Sequence, residues 1–282
     1  MAKPKADLSA CGQLVRENDP DRFFCTLFAA SEKREALFAL YAFNHELARV
    51  AESVSEPMLG EIRLQWWREA LDGIEAGTPR RHDVVEGLAA AWDSGMERAL
   101  LDAMIDGRAA DLASDPPEDI ETLVAYAHQT AACLTQQACM ILGAHKENVA
   151  GASKDAGTAI ALAGLLRSTL SLCAQGRVML PADQLSLHRL DARDVLKGEN
   201  NSRLVSVVKT VTGHADGVGK SARSASRRLP KGVVPALLPL SFALRDLATL
   251  KANGYNAFDP GLARRGGDRQ LGVLWRAFLG RV

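Results

Sequence analysis

The chain lacks any stretch that asks for a β-strand: no run alternates β-branched and polar residues between Asn-Gly or Asp-Gly turns. That excludes hairpin-built folds. It also lacks an uninterrupted apolar run of the ~18 residues a membrane-spanning helix needs, and residues 156–173, the longest weakly polar stretch, contain Arg167 with several Ser and Thr. They are expected to form a buried core helix. The five cysteines, Cys11, Cys25, Cys133, Cys139 and Cys173, include no C-x-x-C pair, so they read as reduced apolar fillers in a reducing compartment. Charge of one sign is absent as a surplus, with Lys+Arg and Asp+Glu both 34. A nonspecific nucleic-acid partner, which requires excess positive charge, is not expected.

Catalytic signatures are missing too. Six histidines show no H-x-x-x-H spacing, and no G-x-S-x-G occurs, so a helical zinc site and a serine elbow are not expected. Gly213-His-Ala-Asp-Gly-Val-Gly219-Lys-Ser221 resembles a phosphate loop only superficially: His214 stands where a Walker loop needs its first Gly, and no strand precedes it. The N-terminus, Met1-Ala-Lys-Pro-Lys-Ala-Asp-Leu, has no apolar h-region and is too short and acidic for a transit peptide. A bacterial cytoplasmic location is expected. The last absence proves the most informative: from Ala156 to Ala182 there is no Asp or Glu.

What is present is helix-forming sequence. Hydrophobic residues make up 47%, with Ala, Leu, Arg and Glu at helical spacing. An all-α chain of ten or more helices is predicted, with no linker or repeat, as one domain over residues 1–282. The pattern predicts helices over 9–16, from Ser31 as N-cap to about 53, over 58–76, 82–91, 96–107, 118–143, 153–174, 188–196, 200–228, 241–252 and 271–279. A short helix opens at Asp19-Pro20. Ile62, Trp66, Ala70 and Ile74 are expected on one stripe of the helix over 58–76, beside Leu59, Arg63 and Trp67. Residues 255–260 are predicted extended. Glu52 and Glu56, four apart, are expected on one helical face.

Several segments in order resemble the squalene/phytoene synthase family: Ala36-Leu-Phe-Ala-Leu-Tyr41-Ala-Phe43, Ile62-Arg63-Leu-Gln-Trp66-Trp67-Arg68, Met104-Ile-Asp106-Gly107-Arg-Ala-Ala-Asp111-Leu112, Tyr126-Ala-His-Gln-Thr-Ala131, Leu162-Ala-Gly-Leu-Leu-Arg167 and Gln175-Gly176-Arg177-Val-Met-Leu180-Pro181. The order holds from about Cys11 to Pro181. The resemblance implies an isoprenoid (terpenoid) synthase-like helical bundle around a central cavity. It also implies head-to-head joining of prenyl diphosphates, with two Asp-rich motifs holding Mg²⁺. The first motif, D-D-x-x-D, falls on Ala48-Arg49-Val50-Ala51-Glu52, and the second, R-D-x-x-E-D, on Arg167-Ser168-Thr169-Leu170-Ser171-Leu172. Only Glu52 keeps a carboxylate.

A narrower resemblance accounts for this pattern. Phe43-Asn44-His-Glu46-Leu47-Ala48-Arg-Val50-Ala-Glu-Ser53-Val54-Ser55-Glu56, continued by Gly60-Glu-Ile-Arg63-Leu-Gln65-Trp66-Trp67, is similar to the complex I (NADH:ubiquinone oxidoreductase) assembly factor 6 group. That implies a protein without metal or catalytic residues that assists complex I assembly at the inner membrane. Its partners would be complex I subunits or other assembly proteins, with an isoprenoid or lipid as ligand. The cavity is expected to be lined by Tyr41, Asn44, Ala48, Trp67, Ala131 and Gly164. Arg49, Arg63, Arg167 and Arg177 would either bind an anion without metal or pair with Glu46, Glu52, Glu61 or Asp111. Asp111 and Ser168 complete the site positions carried over. An active Mg²⁺-dependent prenyl transferase and a metal-free lipid carrier stay open as alternatives.

Overall fold

A computed structural model of the protein describes residues 8–263, 268–280 and 282. Within them every regular element is helical. The chain runs through α1 (Ala10–Asn18), α2 (Pro20–Thr26), α3 (Ser31–Ala48), α4 (Pro57–Glu75), α5 (Asp83–Ala90) and α6 (Arg98–Ala109). Then come α7 (Ile120–Ala127), a π turn (His128–Ala132), α8 (Cys133–Ile141), α9 (Lys146–Arg167) and α10 (Thr169–Ala174). Next are α11 (Ala182–Leu187), α12 (Ala192–Leu196), α13 (Ser202–Ser226), α14 (Val234–Leu237), α15 (Pro239–Ala252) and α16 (Asp268–Leu279). No single helix among the described residues is long and apolar enough to cross a membrane.

Local chemistry sets many boundaries. Ser9 caps α1 by accepting from the Gly12 amide, and Asp19 caps α2, whose first residue is Pro20. Asp119, rather than Pro117 or Glu118, opens α7 by accepting from Thr122. Ser31 is the first residue of α3 and not its cap, since Ala30 holds that position without a side-chain bond. The third helix also stops five residues short of expectation. After Ala48 the chain tightens into a 3₁₀ turn over Ala51–Ser53, where the Ser53 hydroxyl takes the Val50 carbonyl at 2.8 Å. Gly213–Ser221 lies inside α13, and residues 255–260 turn rather than extend, with Tyr255 at φ 62°.

The expected stripe on α4 is rotated. Gly60, Leu64, Trp67, Leu71 and Ile74 are buried with Ala70, whereas Ile62 is 59% exposed. A row stepping only by four drifts about 40° around the helix per step, so 62, 66, 70 and 74 cross from the solvent face to the core face. Alternating steps of four and three hold one face.

The apolar core forms two clusters, both touched by Ile160 and Leu244. Helix α9 is central: it packs on α8, the π turn, α13 and α15. Its approach to the π turn requires Gly157, where a Cβ would strike the Ala132 backbone and lie 2.5 Å from the Ala131 carbonyl oxygen. On the opposite side Gly107 of α6 makes the same allowance, since a Cβ there would stand 2.7 Å from Gln129 Cβ. Two glycines thus let two helices close on the π turn. The expected helix over 153–174 breaks at Ser168, where the Thr169 hydroxyl bonds the carbonyls of Leu165 (3.3 Å) and Leu166 (2.9 Å), offering the backbone an alternative to the helical ladder.

Gly157→Ala is expected to lower stability by about 1–3 kcal/mol, as overpacking does. Gly164→Ala, with open space around its Cα, should be neutral or stabilising by up to about 1 kcal/mol. Urea unfolding of the two variants measures the contrast.

Candidate functional site

A cavity of about 390 Å³ opens between α3, the end of α6, α7 with the π turn, and the C-terminal end of α9. Its chemistry centres on Asp111, which the 3₁₀ turn after α6 carries inward until the residue is 5% exposed. Arg108, three residues earlier, donates from Nη1 to Asp111 Oδ2 at 3.0 Å and to the Tyr126 hydroxyl at 2.8 Å. The Tyr126 hydroxyl donates to Asp111 Oδ1 at 2.9 Å, and Arg177 Nη2 donates to the same oxygen at 2.7 Å. Arg108 Nη2 also reaches Asn44 Oδ1 at 3.5 Å. Two guanidiniums therefore share one carboxylate.

Burial shapes this cluster. It works to lower the Arg108 pKa, but the neighbouring Tyr126 and Asp111 outweigh it and hold the guanidinium above its ordinary value. Tyr126 is pushed up to about 12, first by burial, so it stays a neutral hydrogen-bond donor. The other cavity arginines have their own acids. Arg167 pairs with Asp246 of α15 at 2.7 Å and stands 4.0 Å from Asp21 of α2. Arg22 pairs with Asp19 at 2.5 Å and lies over the Tyr41 ring at 5.7 Å. Glu52, exposed on its 3₁₀ turn, accepts from Gln175 at 3.4 Å.

Of the positions singled out from sequence, Asn44, Ala48, Glu52, Asp111, Ala131, Gly164, Arg167, Ser168 and Arg177 line this cavity. Tyr41 and Trp67 do not. Tyr41 is a core residue of α3, and Trp67 packs edge-on against Phe43, Trp66 and His82. Both follow the apolar phase of their helices inward. Arg49 and Arg63 are exposed, away from the cavity lining. Arg177 takes Asp111 as its partner, but Arg167 takes Asp246 and Asp21, from elements far away in sequence. Glu56 shares no helix with Glu52, since it sits at the N-cap of α4. Arg22, Arg108 and Tyr126 line the cavity without having been assigned to it. The i,i+3 spacing of Arg108 and Asp111 was the available signal; nothing local marks Arg22.

The family model for squalene/phytoene synthase matches residues 15–272. The chain belongs to the squalene/phytoene synthase family. Over 257 residues it is 32% identical to "NADH dehydrogenase (ubiquinone) complex I, assembly factor 6" of Bos taurus, covering 90% of this chain and 77% of that protein. To the chloroplastic phytoene synthase of an Oncidium hybrid cultivar it is 24% identical over 266 residues, covering 88% and 62%. A crystal structure of a dehydrosqualene synthase in complex with ligand superposes with TM-score 0.82 at 17% identity, covering 95% and 94%. The fold is therefore the all-α, isoprenoid synthase-like fold of the squalene/phytoene synthase family. Ala48, Ser168, Ser171 and Leu172, positions onto which the resemblance carries the two Asp-rich motifs, all line this cavity.

Asp111→Ala is expected to cost about 3 kcal/mol, because it strands two guanidiniums in a partly buried setting; chemical denaturation measures this. Tyr126 has a folded pKa raised above that of the unfolded phenol. Its contribution to stability is thus complete below about pH 10 and is lost as pH rises through about 12. Absorbance titration should show a late tyrosinate step that Tyr126→Phe removes.

Proposed function

We propose that this chain is a catalytically silent member of its family that assists assembly of a bacterial respiratory NADH dehydrogenase. It would work in the cytoplasm at the inner membrane, contacting complex I subunits or other assembly proteins. The single observation that carries the silent reading is the donor set of the cavity. Mg²⁺ on a diphosphate is held by carboxylates and substrate oxygens. The residues here do not fit it: Ala48, Ser168, Ser171 and Leu172 occupy wall positions where the family motifs would present acids, and Asp111 is engaged by two arginines. Glu52 alone is thin support for a divalent cation. Among the described residues no three His, Cys, Asp or Glu side chains gather as a metal-binding group.

The assembly half of the reading is supported by identity to the bovine assembly factor, which exceeds that to the plant phytoene synthase. The cavity would then hold an isoprenoid or lipid ligand, its anionic end met by Arg108 and Arg177 without a metal.

Deleting the gene should lower the amount of assembled NADH dehydrogenase on native gels, and complementation should restore it. Normal complex levels would overturn the assembly role. Purified protein with farnesyl or geranylgeranyl diphosphate and Mg²⁺ should give no squalene- or phytoene-type product. Turnover abolished by Glu52→Ala would instead establish the transferase reading.

A further inference from the structure

The charges around the cavity are not spread evenly. Arg22 and Arg167 also line a second, smaller cavity of about 130 Å³ behind them, together with Asp19, Asp21 and Asp246. Three carboxylates face two guanidiniums there, so that end has no positive charge to spare. The Asp111 end is the reverse. Arg108 and Arg177 share the single carboxylate of Asp111, and Tyr126, its pKa raised first by burial, stays protonated. Two guanidiniums against one carboxylate leave one uncompensated positive charge. Glu52, the remaining charged residue of the lining, is exposed and adds a negative charge on the solvent side.

The free donors sit where the spare charge is. Among the described residues Arg177 spends only Nη2, on Asp111 Oδ1 at 2.7 Å and more loosely on the Met179 sulfur at 3.9 Å. Its Nε and Nη1 have no partner. Apolar side chains supply much of the remaining wall: Ala131, Leu134, Ile160, Leu165 and Leu172. A volume of about 390 Å³ lies at the small end of ligand pockets, and suits one hydrocarbon chain rather than the two of a phospholipid. A charge carried into such a site must be matched there, because it gives up part of its hydration. One negative charge is matched at the Asp111 end. A diphosphate brings several, and without a metal the rest would face Glu52 or the end where carboxylates already outnumber guanidiniums.

We propose that the cavity selects a single-chain amphiphile with a monoanionic head, a long-chain carboxylate, over the same chain with a more highly charged head. Arg177 is the specificity-determining residue, offering Nε and Nη1 to the planar carboxylate. Asp111 sets the charge count by cancelling one of the two guanidiniums. The inference rests on the lipid-ligand half of the function proposed above and is independent of the assembly role.

The test is isothermal titration of the full-length protein, in EDTA and below micellar concentrations. The ligands are decanoate, decyl phosphate (head charge about −1.5 to −2 at neutral pH), decanol and farnesyl diphosphate. Wild type should bind decanoate about tenfold or more tighter than each of the other three. Arg177→Gln should bring decanoate down to the level of decanol, whose own affinity stays unchanged. Asp111→Asn leaves two guanidiniums without a counter-charge, so decyl phosphate should now bind tighter than decanoate. Loosened packing alone would not reverse that order. If the thermal transition shows that Asp111→Asn does not fold, Arg177→Gln decides. Tighter binding of decyl phosphate or farnesyl diphosphate than of decanoate by wild type, or decanoate binding indifferent to Arg177→Gln, would overturn the monoanion preference and leave the lipid-ligand reading standing. Failure of all four ligands to bind would sink the lipid-ligand reading and the preference with it.

Discussion

Asp111 is the interaction on which the cavity depends. A carboxylate this buried would cost several kcal/mol if left alone, and it is tolerated because two guanidiniums and a phenol converge on it. The constraint also works in reverse. Arg108 and Arg177 would repel each other across the cavity without the acid between them. The ends of α6 and α7, the segment after α10 and, through Asn44, the face of α3 are all tied to one side chain. The position of the cavity floor is set by that bond network rather than by apolar packing alone.

Packing supplies the other half. A π turn carries an extra residue per turn and shifts the phase of the helix beyond it. Here it puts Thr130 and Ala131 on the wall below Tyr126. That wall stays close to α9 only because residue 157 has no Cβ, and close to α6 only because residue 107 has none. The approach at Gly157 brings the next two turns of α9 over the cavity, which is how Gly164 and Arg167 reach it. The Thr130 and Thr135 hydroxyls bond back to the Tyr126 and Ala131 carbonyls at 2.7 Å each, engaging carbonyls whose helical ladder is perturbed there.

The all-α class and most of the helices were legible because apolar period and breakers are local signals. Asn44 and Ala48 could be placed on one wall from i,i+4 spacing, and Asp111 and Gly164 from motif order. What escaped was non-local. Nothing near Tyr41 or Trp67 says whether a buried aromatic faces a cavity or a neighbouring helix; both fill the core. Nothing near Arg167 names Asp246, 79 residues away. The π turn has no signature in His128–Ala132 that periodicity detects, so 118–143 reads as one regular helix. The break at Ser168 depends on which carbonyls Thr169 selects.

The stretch from Ala156 to Ala182 supplies no carboxylate, yet Arg167 within it cannot be half-buried without a counter-charge. The fold provides one from α15 through Asp246 and places another, Asp21 of α2, near it. Asp19 answers Arg22, and Asp111 answers Arg108 and Arg177. Each carboxylate in or behind the wall is therefore matched to a guanidinium of the protein itself; Glu52, on its exposed turn, is the exception. A metal would have to compete with covalently tethered cations already at hydrogen-bond distance, whereas an anionic ligand would find donors on Arg108 and Arg177 that one shared carboxylate does not exhaust. The same residues that hold the helices together bias the cavity toward anions.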